Sequence, residues 1–327
     1  MARRQRSSST GHLNLNSRAG GAAGTFLITL LLVVAIGVFA YSGWRLLGYY
    51  MAYKQGSDEY SDLNDEYMNT PAQTAVPQTD SPAAQGETAL GETEGTPSSE
   101  ALADVTALED PVKRTAVLDG AYREETVENG KSKALPKLKN PVDFAELQSI
   151  NPDVIGWIRV GAVNISYPVT QAKDNEYYLH RTFKKVDNFA GCIFENCTNS
   201  PFFTDQNTIL YGHNMKNGSM FGQLKKFSEQ ATFDKNPYFW IFTKDFIFQY
   251  RIFSSSVVSK IGDPYITRFS KEDFEKYIEK AIASSEIKCG DVQVTTDDRI
   301  VTLSTCTGND ATRRILQGVL TQVYVAA

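Results

Sequence analysis

Residues 141–327 predict a mainly β fold, a small barrel or sandwich. Three observations carry that prediction. Short runs rich in Val, Ile, Phe, Tyr and Thr recur at 154–160, 163–169, 191–194, 208–211, 239–242, 246–256, 300–305 and 316–325. Asn, Asp, Gly and Pro punctuate them, as turns between strands require. Helical patterns interrupt the series only at 220–227 and 270–284. The second of these has Ser270 as N-cap, Asp273 three residues on, and Phe274, Tyr277, Ile278 and Ile282 on one face. A further helix opens the domain over 141–150, with Pro141 in its first turn.

The region before residue 141 is of another kind. The average figures of 42% hydrophobic, 22% charged and net charge -5 conceal a segregated chain. Residues 1–21 form a basic tail with Arg3, Arg4, Arg6 and Arg18, and 22–47 are apolar up to Arg45. About 20 such residues span a bilayer at ~1.5 Å rise each. The basic flank places the N-terminus in the cytoplasm and everything after the span outside. The apolar run exceeds the core of a signal peptide and lacks a clean small-x-small cleavage site after it, so an uncleaved anchor is expected. Residues 48–140 read as an extracellular stalk and an acidic linker. A short stalk helix is expected over 48–68, and 69–110 hold too few large apolar side chains to offset ordering entropy. That segment is expected to be a flexible tether.

Composition also excludes. No Lys/Arg run outside the N-terminus suits a phosphate backbone, so no nucleic-acid partner is expected. Cys192, Cys197, Cys289 and Cys306 are too few and too irregular for a disulfide framework or a zinc ribbon. Cys192 and Cys197 are expected as reduced packing residues, with a disulfide between them the alternative in an oxidising compartment. Carboxylates show no calcium-loop spacing, and neither a metal nor a cofactor is called for. Of 3 histidines, His12 lies in the tail, so imidazole chemistry in the domain must use His180 or His213.

Three segments stand out for chemistry. In the run 299–308 a β-type stretch ends at Cys306 and a loop signal follows at Thr307 and Gly308. In 207–215 another β run ends at His213, with Gly212 permitting close backbone approach. In 312–320 Arg313 and Arg314 open the strand after the cysteine loop, and an antiparallel return would bring Arg314 close to Cys306. Each segment alone also reads as ordinary structure: a buried free cysteine, a surface histidine, two arginines solvating a strand end.

Jointly they resemble the sortase family. TLSTC at 302–306 matches its TLxTC signature, LYGHNM at 210–215 its histidine segment, and Arg313-Arg314-Ile315 its arginine strand. The resemblance spans essentially 141–327 and is greatest to the class B branch, through NPDVIGW at 151–157, ISYPV at 165–169, KDNEYYLH at 173–180 and MFGQLKKF at 220–227. It implies an eight-stranded closed β-barrel with an N-terminal helix and a long helix inserted before the cysteine strand. It also implies a cysteine transpeptidase in which Cys306, His213 and Arg314 are catalytic. Arg314 is selected over Arg313 as the residue directly before the apolar strand, and His180 is left as a fold or rim residue. Asn175, Leu179, Tyr211, Tyr265, Ile266 and Ser304 are implied to line the peptide groove. Thr307 departs from the acidic residue frequent at that position in class B.

The implied partners are surface proteins carrying a C-terminal NPxTN or xPxTG sorting motif and a cell-wall precursor amine of the lipid II type. Transfer to a pilin lysine and hydrolysis by water are the alternatives. A membrane-tethered barrel that only binds a wall polymer is a rival of a different class, and it predicts that Cys306→Ala leaves activity intact.

Overall fold

The computed structural model describes residues 21–68, 117–118, 121–122, 125–128, 131–290 and 292–327, with side chains over 24–68, 134–290 and 292–327. The basic tail up to residue 20 and the tether expected at 69–110 lie outside the described residues. The chain divides into two units, one ending at Tyr53 and one spanning Lys54–Ala327.

The first unit is dominated by helix α1, Gly21–Tyr67, which also runs into the second. Its apolar stretch is exposed throughout, and among the described residues it is the one helix long and apolar enough to cross a membrane. The anchor and the stalk helix are one continuous helix of 47 residues, because no Pro or paired Gly interrupts the run from 22 to 67.

In the second unit, Tyr60, Leu63 and Tyr67 of α1 are buried. Met68 forms a bridge to Val142, and the Asp143 amide donates to the Tyr67 carbonyl. The folded unit therefore begins well before residue 141. Next come the short strands β1 (Val117–Leu118), β2 (Ala121–Tyr122), β3 (Glu125–Glu128), β4 (Lys131–Ala134) and β5 (Lys137–Leu138). Helix α2, Phe144–Ile150, is capped by Asp143, whose carboxylate accepts from the Glu146 amide.

The strands that follow close into a ring: β6 (Val154–Val160), β7 (Ile165–Gln171), β8 (Ile193–Glu195), β9 (Asn207–Tyr211), β10 (Tyr238–Phe242), β11 (Phe246–Ser259), β12 (Ile300–Cys306) and β13 (Thr312–Ala326). Their order is β11-β10-β6-β7-β8-β9-β12-β13, and β13 pairs back onto β11. This is the expected eight-stranded closed barrel. Closure removes the exposed ladder that an open sheet edge would present. Strand β5 joins outside the ring, parallel to β13.

Helix α3, Gln230–Lys235, and helix α4, Lys271–Ala283, are inserted between strands. The Asp273 amide donates to the Ser270 hydroxyl, as the capping pattern predicts. Phe274, Tyr277 and Ile278 pack with Phe253, Ile300 and Val319, so α4 covers one face of β12 and β13 just ahead of Cys306. The pattern expected as a helix at 220–227 is a 3-10 helix, Phe221–Ser228.

Candidate active site

Three neighbouring strands set the site, and their registers say which side chains share a face. Strands β9 and β12 run parallel with Tyr211 opposite Ser304. The Gly212 amide continues that ladder by donating to the Ser304 carbonyl at 3.2 Å. A Cβ at 212 would collide with Ile193 and Phe221, so the close approach needs glycine. His213 follows directly, just beyond the end of β9. On the other side β12 and β13 are antiparallel, with Cys306 opposite Arg313 and Thr305 opposite Arg314. Directly paired residues point to the same face of a sheet and successive residues to opposite faces. Cys306 and Arg313 thus share a face across strands spaced by ~4.8 Å, and His213 lies just past the end of β9, the strand on the other side of β12.

In this register Arg313, and not the expected Arg314, is the arginine paired with Cys306. Arg314 faces the other way and is occupied there. Its guanidinium grips Glu286 through two hydrogen bonds of 2.8 and 3.4 Å and reaches the Ser255 hydroxyl at 3.4 Å. Arg313 donates to the Asp310 and Thr312 carbonyls, and its charge acts on Tyr265 together with that of Cys306. Choosing between adjacent arginines requires the strand register, and the pattern of apolar residues after them does not contain it.

Cys306 is half-buried at the end of β12, positioned by two neighbouring strands and open to solvent beyond. The loop after it is drawn tight by Thr307 and Thr312, whose hydroxyls meet at 2.6 Å. His213 is also half-buried, and its Nε2 bonds to the Leu179 carbonyl at 2.8 Å. A carbonyl only accepts, so Nε2 carries the hydrogen and Nδ1 is the atom left to exchange protons. Burial of the ring holds its pKa below the usual 6.5 and nearby His180 pushes the same way, while the Leu179 contact opposes them. The exposed His180 ring lies 6.3 Å from that of His213. The orienting partner of His213 is thus a backbone carbonyl, where a papain-like site would use a side-chain amide or carboxylate.

The groove candidates divide. Tyr211, Tyr265 and Ser304 come together beside Cys306: the tyrosine rings stack at 6.1 Å and the Tyr265 and Ser304 hydroxyls meet at 3.1 Å. Burial pushes the Tyr211 phenol up to about 12, and its oxygen accepts from Asn196 at 3.0 Å. Ile266 is 40% exposed, with its carbonyl taken by Asn207. Leu179 acts on the site through its carbonyl. Asn175 is one step removed, its side-chain oxygen accepting from the Cys197 amide at 2.8 Å. Sequence reasoning weighed Arg313 and preferred Arg314; it missed the nearness of His180 to His213 and Asn196 as the holder of Tyr211. No local pattern marks any of these. All four cysteines are free thiols, and burial pushes that of Cys192 up to about 12.

Comparison with known proteins agrees with this geometry. The Sortase domain family model matches residues 158–321. Sortase B of Listeria monocytogenes is 37% identical over 184 residues, which is 54% of this chain and 74% of that protein. Sortase B of Staphylococcus aureus is 32% identical over 176 residues, 53% of this chain and 72% of that protein. The solved Staphylococcus aureus sortase B–substrate complex aligns with a TM-score of 0.52 at 30% identity, covering 55% of this chain and 84% of that one. With the closed barrel and the strand-end cysteine described above, these matches identify the chain as a member of the sortase family of cysteine transpeptidases, similar to its class B members.

Proposed function

We propose that this protein is a membrane-anchored transpeptidase that cleaves the sorting motif of a surface protein and passes the acyl group to an amine. Cys306 is the nucleophile, His213 the proton carrier and Arg313 the fixed positive charge. The Cys306 thiolate attacks the scissile carbonyl carbon to give a tetrahedral oxyanion. An arginine keeps its proton at any working pH, so Arg313 stabilises the oxyanion or holds the peptide and moves no proton. The His213 imidazolium gives its Nδ1 proton to the departing amine as the C–N bond breaks, leaving a thioacyl enzyme. The incoming amine then attacks the thioester carbon, His213 takes its proton, and the cysteine leaves as thiolate.

The observation that supports this reading is the pairing of Cys306 with Arg313 across β12 and β13, with His213 just past the end of β9 on the other side of β12. Tyr211, Tyr265, Ile266 and Ser304 beside the thiol are the proposed peptide groove, and Leu179 and Asn175 its rim. A motif of the NPxTN or xPxTG kind is the proposed donor and a lipid II-type cell-wall amine the proposed acceptor. One solved relative is a sortase B–substrate complex, which supports a peptide substrate in general. The apolar helix supports a single-pass protein with its catalytic domain outside the cell.

Mass spectrometry of the enzyme mixed with a panel of motif pentapeptides tests the proposal. A thioacyl adduct on Cys306, discharged to a cross-linked product by added amine, is expected. An adduct discharged only by water means a peptidase, and a pilin lysine that outcompetes wall-type amines means pilus assembly. No adduct with any peptide would sink the enzyme reading.

A further inference from the structure

The second unit holds a cleft of about 320 Å³ that the transpeptidase chemistry does not use. Its walls come from the end of α1, the turn between β6 and β7, and the loop that follows His213. Ser57, Ser61, Asn64, Asn164, Asn217 and Gln223 supply its polar surface, and no lining residue carries a charge. Its size falls within the range of small-ligand sites, but its chemistry is unlike an apolar pocket.

The lining excludes most ligand classes. Anion sites are made by Arg, Lys or converging backbone amides. Calcium and magnesium sites need carboxylates. An apolar ligand would leave the carboxamides and hydroxyls without partners, at a cost of roughly 1–3 kcal/mol per buried group. What remains is a neutral ligand dense in donors and acceptors. Each carboxamide offers both an N–H₂ and a C=O, the complement of an acetamido group.

Two features show readiness to bind. The side-chain amides of Asn64 and Asn164 form no hydrogen bond to another described residue, and the Gln223 Oε1 is buried without a partner. The aromatic walls are meanwhile fixed: the Tyr60 and Tyr167 rings meet edge to face at 5.4 Å. The Tyr60 hydroxyl donates to the Gly191 carbonyl, and the Tyr167 oxygen accepts from the Met220 amide. The Tyr60 hydroxyl is thus committed as donor and acceptor and the Tyr167 oxygen is held as an acceptor, so the rings stand as fixed surfaces, which lowers the ordering cost of binding. Gly218 has φ +80°, a conformation that favours glycine, and a Cβ there would push aside the tip of the Gln223 side chain.

We infer that this cleft is a binding site for a neutral N-acetylated amino sugar. The carboxamides bind the acetamido group and the serines the ring hydroxyls. The loop carrying Asn217 and Gly218 begins at His213 and is closed at its stem, where the Phe221 amide donates to the His213 carbonyl at 3.0 Å.

The test uses the full chain in a zwitterionic detergent without a sugar headgroup, with N,N′-diacetylchitobiose as probe. Calorimetry and ligand-observed NMR are expected to show dissociation in the millimolar range or tighter, about -4 kcal/mol or better, with saturation transfer to the acetyl methyls. The Asn64→Ala/Asn164→Ala pair should weaken binding about tenfold or more at an unchanged melting temperature, and the fully deacetylated disaccharide should not bind. No binding by the wild type, unchanged binding by the double variant, or equal binding of the deacetylated sugar each overturns the inference. If the double variant melts differently, Ser61→Phe, a plug at an exposed helix position, takes its place: weakened binding supports the inference and unchanged binding overturns it.

Discussion

The two faces of the β12–β13 pair are built from alternating residues of the same strands and serve opposite ends. One carries buried Ser304 and half-buried Cys306 and Arg313, and is met by Tyr265 and Tyr211. The other carries Leu303, Thr305 and Arg314, of which the first two are buried and the third is clamped to Glu286. The neighbours Arg313 and Arg314 are turned to opposite faces by the two-residue period of the strand, one beside the thiol and the other onto Glu286. Under the proposed mechanism, the parity of the strand chooses between them.

Substitutions on each face put that contrast at risk. The largest effect is expected on the open face. Cys306→Ala should remove turnover by about 10⁴-fold or more and abolish the thioacyl adduct, as loss of a nucleophile does. Arg313→Ala should lower kcat/KM by about 10²–10³-fold with a near-native melting temperature. On the clamped face the pattern inverts. Arg314→Ala leaves Glu286 without its partner and should lower stability by about 1–3 kcal/mol in urea denaturation, while folded enzyme keeps most of its turnover. Equal kinetic losses in the two arginine variants would erase the distinction between the faces.

Glu195 belongs to the clamped face too, since it pairs with Leu210, and Leu210 with Leu303. It is fully buried with both oxygens unpartnered, and burial raises its pKa well above 4.5, with Asp205 adding to the shift. The folded state therefore holds a proton that the unfolded chain has released above about pH 4.5, and stability falls as pH rises from there. Glu195→Gln should stabilise the protein by about 1–2 kcal/mol at pH 7, with the gain vanishing near pH 4. Denaturation at the two pH values reads this directly.

The smallest effect is expected at His213 on the open face. Its folded pKa lies below 6.5, so the unfolded chain binds the proton first and stability drops as pH falls through that value. His180→Gln removes a like charge and should move the NMR titration midpoint of His213 upward. A midpoint that stays put would show that His180 exerts no field there.

Much of this architecture was legible in the residues. The eight ring strands could be read because their apolar content contrasts with polar turns, and α4 because Ser270 and Asp273 cap an amphipathic run. Strand β5 was not, since Lys137–Leu138 is too short to show any period and owes its conformation to pairing with β13. The packing of Tyr60, Leu63 and Tyr67 onto the barrel was hidden because the helix around them reads as a solvated stalk. Cys306 and His213 were visible as strand ends followed by loops. Arg313 was not, because which of two arginines shares a face with a thiol depends on how the 307–311 turn closes.

The pair of arginines has an evolutionary corollary. A change of length in the 307–311 turn that slid β13 by one position against β12 would bring Arg314 opposite the thiol, but it would also turn every side chain of this 15-residue strand to the other face of the sheet. The length of the turn is therefore held by the whole barrel wall, and the second arginine is no insurance against a change in it.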